Sequence, residues 1–575
     1  MSVDRDTNNP PVWDREVDVL VVGSGAAGLT SAVVAAARGA SVLVIEKSEL
    51  FGGTSATSGG GVWIPCSPLA AAAGARDSEA DAFRYLRALA DDHVEDARIR
   101  AYIAGAPAML RWMTEHTGLR FVSMAYPDYH PELAGGKTGW RTHFPQEFDG
   151  RTLGPLVDLI REESPVASLF GRINWKVSET YSLLLRPRGW QRLLAAMLWR
   201  YYGDIGQRLR CSRRDRFLTL GNALIGRLLE AAQQYGVSLQ RDSALLELLR
   251  DESATRIAGA LVACAGKRLR IRARRAVMLA SGGFERDARM RAEHLPPLAA
   301  DPGNSGSQRN NTGDGLRAAQ AVGAKVLNMD SAWWAPVFRI PGEERGRLCA
   351  VERGLPGCIM VNRAGRRYMN EAASYHIAAQ RMMACDQPGA GTAPSYILFD
   401  SRYRRCYPMG PLLPLLPLWL HSRAVRSTVF KAGSWEELAT RTQLPASALR
   451  ETIERFNENA RAGLDIEFRR GVSEFDRYSG DPKVTPNPSL APLDRPPFYA
   501  MRLHIGDIGT NGGLATDEHA RVLDASAIPI PGLYAAGNTT ASVMGHTYPG
   551  AGATLGPAMT FGFLAGLHMT GAEPT

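Results

Sequence analysis

The chain has 575 residues, of which 45% are hydrophobic and 22% are charged, and its formal net charge is +9. This length predicts two or more domains, and the composition is that of a folded globular protein rather than a disordered one. The seven cysteines follow no metal-binding or disulfide spacing, which favours a reducing compartment and predicts no metal site. The positive charge alone is compatible with nucleic acid, an anionic membrane or an acidic ligand.

No targeting or membrane-spanning segment is expected. Residues 1–13 are polar and contain proline, and they lack the apolar stretch of a secretory signal or a twin-arginine leader. No apolar run reaches the roughly 18 residues that a spanning helix needs. We therefore expect a cytoplasmic protein, either free or attached to a membrane surface.

The segment Val17–Glu46 has the pattern of a strand, a glycine turn, a helix and a second strand. Val17–Val22 is nearly all apolar, as in a parallel strand that is covered on both faces. Small and apolar residues then continue at helical length over Leu29–Arg38, and Ser41–Ile45 has the pattern of another buried strand. The segment therefore predicts a βαβ unit.

The turn G-S-G-A-A-G in this unit predicts a dinucleotide site. Gly23 permits a sharp exit from the strand, Gly25 lets a backbone N–H approach a phosphate, and Gly28 lets the helix lie close to the strand. The phosphate would lie at the helix N-terminus, where free N–H groups favour an anion. Glu46 follows the second strand, where a carboxylate can accept hydrogen bonds from both ribose hydroxyls.

A second glycine-rich loop, Lys47–Trp63, distinguishes a flavin from a nicotinamide cofactor. Its small residues let backbone pass close to a bulky planar ligand and offer N–H and hydroxyl donors, which a nicotinamide does not need. The loop contains no histidine that could bind a flavin covalently, so non-covalent FAD is expected.

The remaining elements are predicted in chain order. Helices are expected over Ala71–Ala108 and Leu220–Tyr235, in the segment ending at Val322, and over Glu436–Glu458. Proline at every third residue makes Pro408–Leu420 an irregular apolar flap. Short strands are expected at Val237–Leu239, Leu245–Arg250, Ile257–Val262, Arg268–Ile271, Ala276–Leu279 and within Gly532–Asn538.

Asn310–Gly315 is expected to cap the helix that ends at Val322, and two further glycine-rich turns are expected to touch the FAD: Ala280–Phe284 and Gly545–Gly562. The last opens a helix whose N-terminus would stabilise negative charge on the reduced flavin. The residues expected to bind FAD are Gly23, Ser24, Gly25, Ala26, Ala27, Gly28, Glu46, Lys47, Gly53, Thr54, Ser55, Ser58, Gly59, Gly60, Gly61, Ala280, Gly282, Gly283, Asp314, Gly537, Asn538, Gly552 and Leu555.

Arginines and aromatic residues are interleaved over Tyr181–Arg216, against only Asp204 and Asp215. This pattern is typical of an amphipathic helix at a membrane surface, with rings at headgroup depth and cations near anionic lipid. An ordinary helical hairpin with a solvated arginine face explains it equally well. Nucleic acid is not expected, since no known binding module surrounds the segment.

Taken together, these motifs make the chain resemble the flavoproteins grouped with fumarate reductase. The resemblance is closest to the 3-ketosteroid Δ1-dehydrogenase branch of that group. The resemblance is carried by the motifs G-S-G-A-A-G, F-G-G-T-S-A-T-S-G-G-G, A-S-G-G-F, A-W-W-A-P, G-R-R-Y-M-N-E-A and G-H-T-Y-P-G-A-G-A-T. It implies an α/β fold in which a Rossmann-type FAD-binding domain is interrupted by an α+β catalytic domain. The implied parts are 1–328, with a basic aromatic insertion at about 165–216, then 329–496, and the C-terminal part 497–575.

The resemblance also implies removal of hydrogen from C1 and C2 of a 3-ketosteroid such as cholest-4-en-3-one. Tyr548 and Gly552 would hold the ketone, and Tyr375 would take the C2 proton, with Tyr368 as a weaker candidate. Tyr129 would hydrogen-bond the base. Hydride would pass from C1 to the flavin, which a quinone or another external carrier reoxidises, since no NAD(P)H fingerprint is present. The implied substrate-lining residues are Phe51, Tyr126, Trp333, Trp334 and Pro549.

Three alternatives stay open. The first is the related oxidation at C4 and C5 of 5α-reduced 3-ketosteroids, on a similar fold with a differently placed base. The second is a fumarate-type reductase, although a dicarboxylate site needs clustered arginines and histidines, and the middle of this chain supplies tryptophans and a leucine-proline flap instead. The third is a non-catalytic flavin-binding sensor or membrane-recruitment module.

Overall fold

A computed structural model describes residues 13–90, 92, 94–164, 168–169, 172–206 and 214–573 as a mixed α/β structure. Within these residues the strands are β1 (Arg15–Val22), β2 (Val42–Ile45), β3 (Val62–Trp63), β4 (Phe121–Met124), β5 (Thr142–Pro145), β6 (Phe148–Asp149), β7 (Ser168–Leu169), β8 (Ile173–Asn174), β9 (Phe217–Leu218), β10 (Ser238–Gln240), β11 (Ser243–Arg250), β12 (Ile257–Cys264), β13 (Lys267–Leu279), β14 (Val326–Leu327), β15 (Ala332–Phe338), β16 (Arg347–Leu348), β17 (Cys358–Val361), β18 (Ser395–Phe399), β19 (Val429–Ala432), β20 (Phe498–Thr510), β21 (Gly513–Leu514), β22 (Arg521–Leu523) and β23 (Pro529–Ala535). The α-helices are α1 (Ala26–Ala37), α2 (Gly53–Thr57), α3 (Pro68–Ala72), α4 (Glu79–Ala90), α5 (Asp96–His116), α6 (Val177–Leu185), α7 (Trp190–Tyr202), α8 (Leu220–Gln234), α9 (Ala288–His294), α10 (Asp314–Gln320), α11 (Tyr375–Ala384), α12 (Ser401–Cys406), α13 (Arg423–Arg426), α14 (Trp435–Thr442), α15 (Ala446–Ala462), α16 (Glu474–Tyr478) and α17 (Leu555–Met569).

The larger sheet has the order β10-β2-β1-β13-β12-β11, and β23 extends it by pairing with β13. The pairs of β10 with β2, β2 with β1, β1 with β13, and β13 with β23 are parallel. The pairs of β11 with β12, and of β12 with the first half of β13, are antiparallel. The apolar run predicted as a buried strand is β1, which lies between β2 and β13. The two strands predicted at 268–271 and 276–279 are one continuous strand, β13.

Helix α1 packs directly against α17 beside this sheet because both helices carry small residues at the contact. A Cβ at Gly562 would lie 2.5 Å from the Ala27 carbonyl oxygen, and one at Gly566 would lie 2.8 Å from Val34. Both helices are buried almost all round. Helix α17 therefore belongs to the same layer as the first βαβ unit.

The smaller sheet has the order β16-β15-β20-β18-β17, with β19 also paired to β20, and its pairs are antiparallel. Strand β20 begins after the predicted division at 496/497 and still belongs to this sheet. The segment predicted to be helical over Glu436–Glu458 contains two helices, α14 and α15, which separate where Gln443 has φ of 59° and Pro445 precedes the second.

The basic aromatic segment forms the two helices α6 and α7. Met197 and Tyr201 of α7 are buried in a small cluster with Ile173, whereas Trp199 is 80% exposed. The predicted arginines at 208, 210 and 213 lie outside the described residues. In the described ranges, none of the helices combines the length and the apolar character needed to cross a bilayer.

Candidate active site

A cleft of about 520 Å³ opens where the parallel strands of the larger sheet end. The residues following β1, β2, β13 and β23 all contribute to it, which is the edge where open α/β sheets bind ligands. Of the residues predicted to bind FAD, those that line it are Gly23, Ser24, Gly25, Ala26, Ala27, Glu46, Lys47, Gly53, Thr54, Ser55, Ser58, Gly59, Gly60, Gly61, Ala280, Gly282, Asp314, Gly537, Asn538, Gly552 and Leu555.

The glycine turn after β1 is tightly constrained. Gly23 has φ of +105°, and a Cβ there would lie 2.3 Å from the Ala280 carbonyl oxygen. Gly28 lies away from the cleft and allows close packing, because its Cβ would lie 2.1 Å from the Gly23 carbonyl oxygen. Gly283 is also outside the lining, against the Thr510 side chain. These contacts hold the N-terminus of α1 at the cleft wall, where its free N–H groups favour a phosphate.

Two acidic residues mark one end of the cleft. Glu46 is almost buried, and its carboxylate accepts from the Ser24 hydroxyl at 2.7 Å and from the Ser48 N–H at 3.0 Å. Asp314, at the start of α10, accepts from the Lys47 ammonium at 2.5 Å. These carboxylates line the cleft where a nucleotide ribose would need hydrogen-bond acceptors.

The loop that carries Gly53 and Gly59 also fits FAD. An added Cβ at Gly53 or Gly59 would meet no heavy atom within 4 Å, and both residues line the cleft. Side chains at these positions would therefore occupy the space that a flat ring system needs. The Thr54 hydroxyl, which accepts from the Asn311 amide at 2.9 Å, lies on the same loop and lines the same wall.

Three tyrosines meet beyond this loop. Tyr375 begins α11, Tyr548 lies in the turn before α17, and Tyr129 lies in the loop after β4. Ring centroids are 5.3 Å apart for Tyr375 and Tyr548, 5.7 Å for Tyr129 and Tyr375, and 5.5 Å for Tyr129 and Tyr548. The Tyr375 hydroxyl lies next to those of both other tyrosines. Tyr375 and Tyr548 line the cleft, and Tyr129 lies behind them.

Gly552 supplies a backbone donor to the same cluster. Its N–H faces the Tyr548 hydroxyl, so two hydrogen-bond donors lie side by side in the cleft wall. Gly552 has φ of +96°, and a Cβ there would lie 2.6 Å from the Val62 backbone. Two convergent donors are the arrangement that stabilises a carbonyl oxygen as it gains negative charge.

The phenols are neutral in this environment. Burial raises the pKa of Tyr375 well above its ordinary value, and the adjacent Tyr129 and Tyr548 raise it further. Burial also raises the pKa of Tyr129 and of Tyr548. Because no phenolate is present in advance, a phenol here can accept a proton only if its own proton moves to a neighbour.

A buried ion-pair network fixes the loop that carries Tyr129. The Arg141 guanidinium donates to Asp128 at 2.8 Å and to Asp77 at 2.7 Å, and the Trp63 indole N–H donates to Asp128 at 2.7 Å. The next backbone N–H, that of Tyr129, donates to the Pro549 carbonyl at 2.9 Å. The network thus ties the Tyr129 loop to β3 and to the turn that carries Tyr548, and the sequence analysis missed it.

Several predicted residues lie outside the cleft lining. The Tyr368 hydroxyl is hydrogen-bonded to Ser395 at 2.7 Å, away from the other phenols, so the geometry favours Tyr375 as the base. Trp333 packs behind Tyr548, with ring centroids 5.1 Å apart, and donates to Asn538. Predicted substrate-lining residues that do not line the cleft are Phe51, Trp333, Trp334 and Pro549, whereas Tyr126 does line it.

The insertion contributes to the cleft, which its sequence did not indicate. Val177 and Leu184 of α6 line the cleft, as does Trp175 just before that helix. Helix α6 is therefore a wall of the site rather than only a surface helix. Other apolar lining residues that the sequence analysis missed are Phe144, Leu348, Val351 and Ile508.

Residues 18–555 match the model of the family described as FAD binding domain. The chain belongs to this family. Both the predicted family and the predicted FAD cofactor are thereby confirmed.

Relatives with established names resemble almost the whole chain. The 3-oxosteroid 1-dehydrogenase of Mycobacterium tuberculosis is 39% identical over 96% of this chain and 98% of its own length. The 4-oxocyclohexanecarboxylate 2-dehydrogenase of Sinomonas cyclohexanicum is 37% identical over 96% of this chain and 93% of its own length. A 3-ketosteroid Δ1-dehydrogenase structure from Sterolibacterium denitrificans, in complex with 1,4-androstadiene-3,17-dione, has a TM-score of 0.93 and 41% identity, covering 97% of this chain and 99% of that chain.

Replacing Arg141 by Met should lower the free energy of unfolding by about 3–5 kcal/mol, because Asp77 and Asp128 would keep their burial and lose their partner. Urea denaturation followed by circular dichroism measures this. Arg84→Met is the matched control, since that arginine pairs with Asp81 at the surface. Equal stability of the Arg141 variant and the parent would contradict the structural role of the network.

Proposed function

We propose that the protein is an FAD-dependent oxidoreductase that introduces the Δ1 double bond into 3-ketosteroids. The observation that carries the proposal is the convergence of the Tyr548 hydroxyl and the Gly552 N–H beside the Tyr375 hydroxyl. This arrangement matches what an α-proton abstraction needs, namely donors for a developing enolate and a proton acceptor next to them. The named relatives that act on 3-oxosteroids support the same reaction.

In this mechanism Tyr548 and Gly552 hold the ketone oxygen and polarise it, which acidifies the C2–H bond. Tyr375 takes the C2 proton and passes its own hydroxyl proton to Tyr129. Bound FAD supplies the acceptor for the hydride that leaves C1. Gly53 and Gly59 would hold the ring system of bound FAD in the cleft.

The substrate class follows from the lining of the cleft. Trp175, Val177 and Leu184 present apolar surface to it. Among the described residues that line the cleft, Lys47 is the only cation, and its ammonium is paired with Asp314. A small carboxylated ketone or a dicarboxylate would find no free positive partner here, whereas a steroid with an apolar side chain fits the wall formed by α6.

We assign the two sheets to the two parts implied by the sequence. The parallel sheet with α1 and α17 would be the Rossmann-type FAD-binding domain, and the antiparallel sheet would belong to an α+β catalytic domain inserted into it. The pairing of β20 favours ending the catalytic domain after Thr510 instead of at residue 496. We retain the boundary near residue 328, since β15 begins at Ala332.

The proposed base is tested by Tyr375→Phe, with Tyr396→Phe as a control that removes a buried hydroxyl bonded elsewhere. The Tyr375 variant should keep FAD but lose about 10²- to 10⁴-fold in turnover of cholest-4-en-3-one, since a positioned base contributes that much. Mass spectrometry and proton NMR of the parent product should show the 1,4-dien-3-one.

Two results would contradict this proposal. Parental turnover by the Tyr375 variant would exclude it as the base. A parent enzyme that leaves the 4-en-3-one unchanged but oxidises its 5α-dihydro counterpart would instead indicate the Δ4-(5α) reaction.

We further propose that the enzyme works at the cytoplasmic face of a membrane, where the sterol and a quinone acceptor dissolve. Trp199 on α7 is 80% exposed, and Trp419 on the Pro408–Leu420 flap is 70% exposed. The two segments are neighbours, since the Arg186 guanidinium after α6 donates to the Cys406 carbonyl at 2.6 Å. Exposed aromatic rings beside arginines suit the headgroup region of an anionic bilayer.

Replacing both Trp199 and Trp419 by Ser should reduce co-sedimentation with vesicles containing phosphatidylglycerol several-fold, because both proposed anchors are lost. These substitutions are preferable to deleting the insertion, because α6 also lines the cleft. Ile466→Ser is the control, since that side chain is 75% exposed on a different segment. An unchanged bound fraction for the double variant would refute the membrane proposal.

A further inference from the structure

Tyr126 lies in the wall between the cleft and a second cavity. It lines the cleft, and its ring meets that of Tyr478 edge-on, with centroids 4.9 Å apart. Tyr478 lines the second cavity, which has a volume of about 440 Å³. Thr138, Glu474 and Arg477 in the wall of that cavity are exposed, so water reaches it without passing through the cleft.

The same tyrosine continues the phenol cluster of the active site. The Tyr129 hydroxyl lies next to that of Tyr375 and to that of Tyr126. Ring centroids are 5.7 Å apart in the first pair and 6.4 Å apart in the second. A hydroxyl can accept one proton and donate another, so adjacent phenols can pass a proton along.

A path of this kind is needed because the cleft cannot release the proton to bulk water once the cofactor and the substrate are bound. The cofactor and the substrate would fill the space next to Tyr375, which leaves the phenols with no contact to bulk water on that side. Burial of Tyr375 and Tyr129 disfavours any charged form of these phenols, so Tyr375 can take a proton only as its own hydroxyl proton moves on.

We propose that the proton taken from C2 leaves through the hydroxyls of Tyr375, Tyr129, Tyr126 and Tyr478 into water in the second cavity. This inference rests on the proposed function. The C2–H bond breaks and its electron pair forms the C1–C2 double bond, while hydride leaves C1 with its own pair. Each hydroxyl takes one proton and releases one, and water in the second cavity takes the last. Tyr126 and Tyr478 are thus positioning residues that act through Tyr129.

The chain offers a matched control for packing. The Phe475 ring contacts Tyr126 and Tyr129, with centroids 6.4 and 4.9 Å away, but it carries no hydroxyl. Tyr126→Phe removes a proton carrier and keeps the ring, whereas Phe475→Leu disturbs the packing and leaves every hydroxyl in place. Tyr478→Phe tests the far end of the path at the wall of the second cavity.

The experiment is anaerobic stopped-flow bleaching of the flavin by saturating cholest-4-en-3-one in mixtures of H2O and D2O. The parent should show a curved dependence of the rate on deuterium fraction, as several protons move together. Tyr126→Phe and Tyr478→Phe should bleach at least tenfold more slowly with a linear dependence, while steady-state KM stays within about twofold. Phe475→Leu should keep the curved dependence whatever its rate. Bound FAD, measured by absorbance, confirms that each variant is folded.

The proposal is overturned if both tyrosine variants keep the parental rate and curvature, or if Phe475→Leu loses the curvature in the same way. Tyr375→Phe separates this failure from failure of the proposed function. Slow bleaching by Tyr375→Phe together with parental bleaching by Tyr126→Phe would retain the base and reject the exit path. Parental bleaching by Tyr375→Phe would reject both.

Discussion

The close contact between Gly552 and the backbone of Val62 is the constraint on which the site depends. The backbone is in the left-handed region and a Cβ would lie 2.6 Å from Val62, so only glycine fits. The Gly552 carbonyl accepts from the N–H groups of Trp63 and Gly556, at 3.1 and 2.9 Å, while its own N–H faces Tyr548. One residue therefore joins β3, the start of α17 and the turn that carries Tyr548.

Buried polar groups around Gly552 hold the neighbouring loops in place. Arg141 and Asp128 hold the Tyr129 loop from one side, and the Tyr85 hydroxyl donates to the Pro549 carbonyl at 2.6 Å from the other. Buried charges are costly unless paired, so this network specifies one arrangement of the loop. Helix α6 closes the cleft with apolar side chains. The site thus combines fixed polar groups at the reacting atoms with an apolar wall for the rest of the substrate.

Much of the cofactor site could be predicted from the sequence because its signals are local. The glycines of the first turn, Glu46 after β2 and the glycines near Gly552 occur in short segments whose spacing reflects backbone geometry. Family resemblance supplied Tyr375, Tyr548 and Tyr129. The network of Arg141 with Asp77 and Asp128 could not be predicted, because it joins residues from separate segments. Similarly, nothing in the composition of α6 distinguishes a helix that lines a cleft from one at the surface.

The central claim is that the ketone is held by Tyr548 and Gly552 with its α-carbon next to Tyr375. A crystal structure of the FAD-loaded protein with a 1,4-dien-3-one tests this most directly. The account predicts the C3 oxygen within about 3.2 Å of both the Tyr548 hydroxyl oxygen and the Gly552 nitrogen, and C2 facing the Tyr375 hydroxyl. A steroid bound with its C3 oxygen away from these two donors, or with C2 turned from Tyr375, would contradict it.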